Sequence, residues 1–295
     1  MIESIVVESI SDGTTLPMGM DGAQEYWLTE VDWGQAEGSH ITYSMANQQG
    51  ETIVSTSLLS RPLSITGWVI EDSTPLRTKC NFLNQFISPS KDYLLKYESY
   101  QIQFRPDTSV KYGREHTVNN VKMRQFLIQG TCPQPFFSSI VPITTLFDFS
   151  TKRFRFPTTF GQREPLIFAT TDKVYNTRIF NPGGYSSGVI IQIDFIGNVT
   201  NPRIRDLQTN QLIGVDLSFV NGDRLTMVTI PGQKSMAARY SDQRVENVIK
   251  NRNVQTTWLQ LSPGNNTWAL ECDDLSQRVN MDVQVMFTPL YLEVE

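Results

Sequence analysis

Residues 189–196 read VIIQIDFI, and residues 215–230 read VDLSFVNGDRLTMVTI. In the first stretch Val189, Ile191, Ile193 and Phe195 fall on one face of a strand, with Gln192 and Asp194 on the other. In the second, Val215, Leu217 and Phe219 alternate with Asp216 and Ser218. Asn221-Gly222 follows, then Arg224–Ile230. Asn-Gly between two alternating runs predicts a hairpin turn with positive φ at both turn residues. Farther on, Trp268, Leu270 and Cys272 alternate with Ala269 and Glu271, and Met281, Val283, Val285 and Phe287 with Asp282 and Gln284. Turn clusters at Asn181-Pro182-Gly183-Gly184, Asn201-Pro202, Pro231-Gly232 and Ser262-Pro263-Gly264-Asn265 separate the runs. Short strands with one polar and one apolar face predict an antiparallel β-sandwich.

The first half differs. It has strand-like runs at Leu63–Ile70, Tyr93–Phe104 and Val121–Gln129. One helix is predicted between the first two. Thr74 is its N-cap and Pro75 its first residue. Leu76, Cys80, Leu83 and Ile87 make an apolar stripe that Phe82 and Phe86 widen, and the helix ends near Ser88, before Pro89. A helix among strands predicts an α+β domain. Residues 131–168 are rich in Pro and Phe, so the boundary is placed near residue 140: domains 1–140 and 141–295. Met281–Phe287 completes the second sandwich, while Leu290–Glu295 either stays there or returns to the first domain.

Composition narrows the function. The chain of 295 residues has 25 Lys and Arg against 30 Asp and Glu, a net charge of −5. That disfavours a dedicated nucleic-acid binder, which needs a basic excess to neutralise phosphates. No apolar run reaches the roughly 18 residues of a membrane span, so no membrane insertion is expected. The start, MIESIVVESI, carries Glu3 and Glu8 and no basic residue, unlike a signal peptide, and a cytosolic site of synthesis is expected. Cys80, Cys132 and Cys272 are odd in number and outside any CxxC pattern, so they read as buried thiols. Only two histidines exist, His40 and His116, which argues against zinc and most base-catalysed chemistry. No metal, cofactor or catalytic residue is expected.

From Asn181 onward the order of short motifs resembles the C-terminal half of the distal tail proteins of long-tailed, non-contractile phages. The shared positions are Asn181 and Gly183, Gly197, Asn201-Pro202 with Ile204, Thr209, Gly222-Asp223, and Leu261 with Pro263-Gly264-Asn265. In the first half, GETIVSTSLLSRPLSITGWVI (50–70) resembles the family's Gly-Glu…Arg-Pro…Gly strand, with Arg61, Pro62 and Gly67 in place. Gly214 departs from the pattern, which carries a charged or longer residue there. The resemblance implies a mainly β protein with two parts. The N-terminal ring-forming α+β domain is a sandwich or split barrel with one helix. The C-terminal part is a galectin-like antiparallel sandwich. It implies a structural hub of the phage tail tip or baseplate. Such a hub is a ring, as a hexamer, joining the tail tube protein to the tail-tip or tail-associated lysin protein and to receptor-binding proteins. DNA passes through the hole unbound, in keeping with the acidic balance. It also implies a place in the virion tail, with assembly in the host cytoplasm.

A ring needs a head-to-tail contact. Residues 33–50, WGQAEGSHITYSMANQQG, are long and polar, and TIVSTSL (52–58) follows. This loop and strand are the candidate interface, with Trp33, Ile41, Tyr43, Ile53, Val54 and Leu58, reaching a neighbour by edge pairing. The plainer reading is a surface hairpin.

The alternative function is a carbohydrate-binding module or adhesin. Asn201-Pro202-Arg203 and Trp268 with Glu271 match parts of the galectin motif, but Val199 stands where that motif has His. Otherwise Asn201-Pro202 makes a turn and Trp268 packs in the core. A glycosidase needs two carboxylates about 5–10 Å apart, one with a raised pKa. The adjacent pairs Glu71-Asp72 and Asp273-Asp274 would point to opposite faces of a strand. Lys152, Arg153 and Arg155, interleaved with Phe, could contact nucleic acid. An exposed linker strand is the simpler reading.

Overall fold

A computed structural model describes residues 4–20, 25–113, 122–152, 169–173 and 175–294. His116, Arg153 and Arg155 lie outside them. The chain divides into two compact units, Met1–Ile140 with Tyr291–Glu295, and Val141–Leu290. The first unit contains β1 (Ser4–Ser9), β2 (Thr15–Gly19), β3 (Tyr26–Asp32), β4 (Gly38–Tyr43), β5 (Thr52–Leu58), β6 (Arg61–Ile70), α1 (Leu76–Phe86), β7 (Tyr93–Tyr97), β8 (Tyr100–Pro106), β9 (Lys111–Tyr112), β10 (Met123–Cys132) and β11 (Phe137–Ser139). The second contains β12 (Ile143–Leu146), β13 (Asp148–Lys152), β14 (Ala169–Lys173), β15 (Asn176–Asn181), β16 (Ser187–Phe195), β17 (Val199–Thr200), β18 (Arg203–Asp206), β19 (Leu212–Gly214) and β20 (Ser218–Phe219). It continues with β21 (Arg224–Val228), β22 (Ser235–Arg239), β23 (Val245–Asn247), β24 (Gln260–Leu261), β25 (Gly264–Glu271) and β26 (Met281–Phe287). The last strand, β27 (Leu290–Tyr291), joins the sheet of the first unit beside β11.

In the second unit the expected alternation is realised in β16. Val189, Ile191, Ile193 and Phe195 are buried, with half-buried residues between them. Their face meets Ile204 of β18, Ile213 of β19 and Trp268 and Leu270 of β25 in one apolar cluster. The sheet β12-β26-β16-β21-β22-β23 and the sheet β15-β25-β18-β19 therefore share one core as an antiparallel sandwich. Phe195 and Phe219 stack at 4.4 Å within it.

The Asn-Gly expectation fails in an instructive way. The run 214–220 is not one strand. β19 pairs with β18 in one sheet, β20 pairs with β17, and β21 lies between β16 and β22 in the other. Asn221-Gly222 turns the chain without pairing its two arms, and only Gly222 has positive φ, +89°. The alternation is real, but each apolar residue faces a core that two sheets share. Packing, not the turn, decides the partner.

In the first unit, strands β8-β7-β1-β2-β3-β6-β10 follow one another and β10 pairs back onto β8. The result is a closed barrel whose closing seam is two residue pairs, Gly130↔Pro106 and Thr131↔Arg105. The run 93–104, read as one strand, is the hairpin β7–β8, folded at Glu98, whose φ is +49°. Helix α1 starts one residue later than expected. Pro75 is the N-cap, with no side-chain cap bond, and Thr74 donates its N–H to Asp72 instead. The predicted stripe buries Cys80, Leu83, Phe86 and Ile87, but Phe82 is exposed.

Gly67 of β6 shows how tightly the barrel wall is packed. A Cβ there would lie 2.4 Å from the Trp27 carbonyl oxygen and 2.6 Å from the Phe126 ring. Overpacking of this kind costs about 1–3 kcal/mol, so Gly67→Ala is expected to lower the urea-unfolding free energy by that amount. The three cysteines are free and buried. Burial pushes the Cys132 thiol up to about 12 and raises Cys80 and Cys272 as well. A thiolate is the reactive form, so the native chain at pH 8 is expected to resist iodoacetamide at all three, and the urea-unfolded chain to be alkylated within minutes.

Candidate functional site

Strands β4 and β5 pair only with each other among the described residues. Every residue of β4 is exposed, and β5 is exposed as far as the half-buried Leu58. Ile41 is 65% exposed, Ile53 57%, Val54 62%, and Met45 in the connecting turn 63%. Tyr43 is exposed too, and His40 spans the strands through Nδ1 to Thr56 Oγ1 at 2.8 Å. The register fixes the faces. Ile41 sits opposite Ser55 and Tyr43 opposite Thr52, on one side. Ile53, opposite Thr42, lies on the other, and an irregularity between Ile41 and Thr42 leaves Val54 unpaired. From Gly38 to Leu58 the only formal charge is Glu51. The hairpin thus has apolar side chains on both faces and two edges guarded by neither lysine nor proline. Proteins ordinarily blunt such edges, and a lone two-stranded hairpin is marginal in water.

Trp33 is not on this surface. It is half-buried at the root, edge-on to Phe137 at 5.2 Å and tilted against Tyr97 at 6.1 Å. The next residue, Gly34, has φ +61°, and a Cβ there would lie 2.5 Å from the Pro62 carbonyl oxygen. The outgoing and returning arms therefore touch at Gly34 and Pro62. Arg61 beside them is fully buried. Its guanidinium lies 5.1 Å from the Phe137 centroid, and its Nη2 donates to the Leu292 carbonyl and to Glu293 Oε1 at 2.9 Å.

The remaining motif positions hold turns. Buried Asn181 donates from Nδ2 to the carbonyls of Tyr185 and Leu261 and accepts from Gly183 N–H, which packs close under the Leu290 backbone. Asn201, at φ +54°, donates to Asp273, and Pro202 is buried. Gly197 fits against the Asn280 side chain. Buried Asp223, after Gly222, accepts from Val220 N–H and Ser241 N–H, which ties the turn to β22. Pro263 lies in the turn before β25, whose first residues, Gly264 and exposed Asn265, pair with Asn181 and Phe180; buried Asn266 closes the turn by bonding Ser262 and Gly264. Gly214, the departure from the pattern, has a physical reason. A Cβ there would stand 2.5 Å from the Pro202 carbonyl oxygen.

Trp268 and four of the candidate carboxylates are engaged elsewhere in the fold. Trp268 has no exposed surface, so it offers no platform for a sugar. Glu271 is bound by Arg205, at 2.8 and 3.0 Å. Asp273 is held by Asn201 and Arg203. Asp274 caps a short 3-10 helix, and Ser276 holds its carboxyl below the usual range; Lys79 does the same to Asp72. A general acid needs the opposite direction.

Residues 182–291 match the family model described as siphovirus-type tail component, C-terminal domain. The whole chain is similar in fold to the crystal structure of the Dit protein of phage SPP1, described as a paradigm of the hub adsorption apparatus in phages infecting Gram-positive bacteria. The TM-score is 0.68 at 16% identity, over 98% of this chain and 99% of that one. It is also similar to a chain of the phage P2 baseplate in its activated conformation with Ca, at TM-score 0.52 and 7% identity, over the full length of both. No curated protein sequence matches. The family match covers 110 of the 295 residues, and the likeness to the solved structures is one of fold.

Sequence reading found the hairpin but not its tip residue Met45, nor the Arg61–Glu293 pair. The available signal for the pair was an Arg two residues before Leu63, in phase with the buried face of the following strand. Exposed side chains contribute little to the monomer. Ile41→Ser, Ile53→Ser or Val54→Ser is expected to change the unfolding free energy of the monomer by under about 0.5 kcal/mol. Ile191→Ala in the sandwich core is expected to cost about 2–5 kcal/mol, with urea denaturation as the measurement.

Proposed function

We propose that this protein is the hub of a phage tail tip or baseplate. The barrel units close head to tail into a ring of six, and the galectin-like sandwiches face outward. The ring joins the tail tube to the tail-tip protein and to receptor-binding proteins, and the genome passes through its centre. The observation that carries the ring is the β4–β5 hairpin, apolar on both faces and open at both edges, which a neighbouring copy would cover. The tail assignment is supported by the matched domain over residues 182–291.

In this reading the protein does no chemistry. Its work is geometric, because repeated copies turn weak single contacts into firm attachment of symmetric partners. An acidic chain with net charge −5 suits a conduit that must let a polyanion slide. The hairpin contact would be heterologous, as a closed ring requires.

Light scattering across a concentration series is expected to show a species of roughly six times 33.6 kDa, imaged as a closed ring by negative stain. Deleting Gln35–Gln49 is expected to leave a folded monomer of normal circular dichroism. A hexamer that survives the deletion would refute the hairpin as the contact.

A further inference from the structure

The hairpin leaves the barrel at Trp33-Gly34 and returns at Arg61-Pro62. Both roots converge on one ring, that of Phe137. Trp33 stands edge-on to it and the Arg61 guanidinium lies over it. Arg61 has no exposed side-chain surface, whereas its counter-ion Glu293 is 61% exposed. The Arg61 Nε finds no hydrogen-bond partner among the described residues. The rest of the tail is also seated on the first unit. Tyr291 is edge-on to Tyr100 at 5.3 Å, and Tyr291 and Val294 pack against its core.

The two halves of the pair are unequal. A buried cation that loses its anion is left uncompensated, while an exposed carboxylate is readily rehydrated. Glu293 is the half that can leave, and Arg61 the half that suffers. Loss of the tail would therefore disturb Arg61, then Phe137, then both hairpin roots.

We propose that the C-terminal tail is a latch. Through Glu293 and Leu292 on Arg61 it fixes the root of the β4–β5 hairpin, and so the direction in which the hairpin is presented to a second copy of this chain. Arg61 and Glu293 are positioning residues, not contacts between copies. The assembly part of this inference rests on the hairpin being the contact in the ring; the latch itself does not.

Hydrogen exchange on the full chain, held dilute as a monomer, tests the latch. Glu293→Gln and a chain ending at Leu290 are compared with the unaltered protein. The expected result is at least tenfold faster exchange at Gly34, whose N–H is bonded to Asp32 at 2.9 Å, and along β4 and β5. The amides of β1 and β7 keep their protection. Unchanged exchange at the root overturns the latch, and so does an equal loss of protection in β1 and β7. Should the shortened chain not fold, Glu293→Gln decides alone, since it removes only a charge. In an Arg61→Met background, where no buried cation needs an anion, Glu293→Gln is expected to have no further effect; an undiminished effect overturns the pairing. Light scattering of Glu293→Gln is expected to move the assembly midpoint to at least tenfold higher concentration. An unmoved midpoint beside loosened roots overturns the link to assembly. A normal ring from the Gln35–Gln49 deletion sinks the hub contact but leaves the exchange result to judge the latch.

Discussion

Arg61 is a cation without access to water, and much of the first unit is arranged around that fact. Its anion and its best carbonyl both come from the far end of the chain, Glu293 and Leu292, 232 and 231 residues away in sequence. Removing the anion leaves a buried cation uncompensated, which costs more than the loss of a fully exposed ion pair. The Arg61 guanidinium is thus paired only when the tail has come back. The chain crosses from the first unit to the second near residue 140 and returns near residue 291. Phe137 gives the arginine an aromatic face, and the same ring steadies Trp33.

The two units treat apolar side chains in opposite ways. In the sandwich each alternating strand hides its apolar face in a shared cluster, and its turns are held by Asn181, Asp223 and Asn266, buried polar groups whose hydrogen bonds are satisfied. Such a unit is specific in register. In the β4–β5 hairpin the apolar groups face water on both sides. That arrangement costs stability and solubility in a lone chain, and it gains them back only where another surface covers it. A protein that works by assembly can carry its function in such a feature, with no convergent polar groups and no perturbed acid or base.

Legibility followed the range of the forces. The strand 189–195 was readable because a period of two is a local property that burial of one face makes visible. The helix at 76–86 was readable for the same reason at a period of 3.6. The Asn221-Gly222 hairpin was misread because turn chemistry is local while strand pairing is not. Phe219 and Leu225 flank the turn in sequence, yet their strands belong to different sheets. The single run at 93–104 hid its fold at Glu98, a non-glycine residue at positive φ that no residue pattern announces. In the candidate site, Ile41, Tyr43, Ile53 and Val54 were legible as β-prone residues in a stretch nearly free of charge. Trp33 was placed with them and belongs at the root. The Asn, Asp and Gly positions of the motif were legible as a pattern, and the structure gives them work as turn holders.

By itself the sequence determined that the chain is mainly β, that its second half is antiparallel, and that one helix interrupts the first half. These follow from periodicity, turn residues and charge, all of which act over a few residues. Only the tertiary structure decided that seven strands of the first unit close on themselves through two residue pairs, that the tail seals Arg61, and that the 38–58 hairpin stands free with both faces wet. Those outcomes depend on contacts between residues far apart in sequence. Their energies come from desolvation and shape in the folded chain, and no local pattern carries that information.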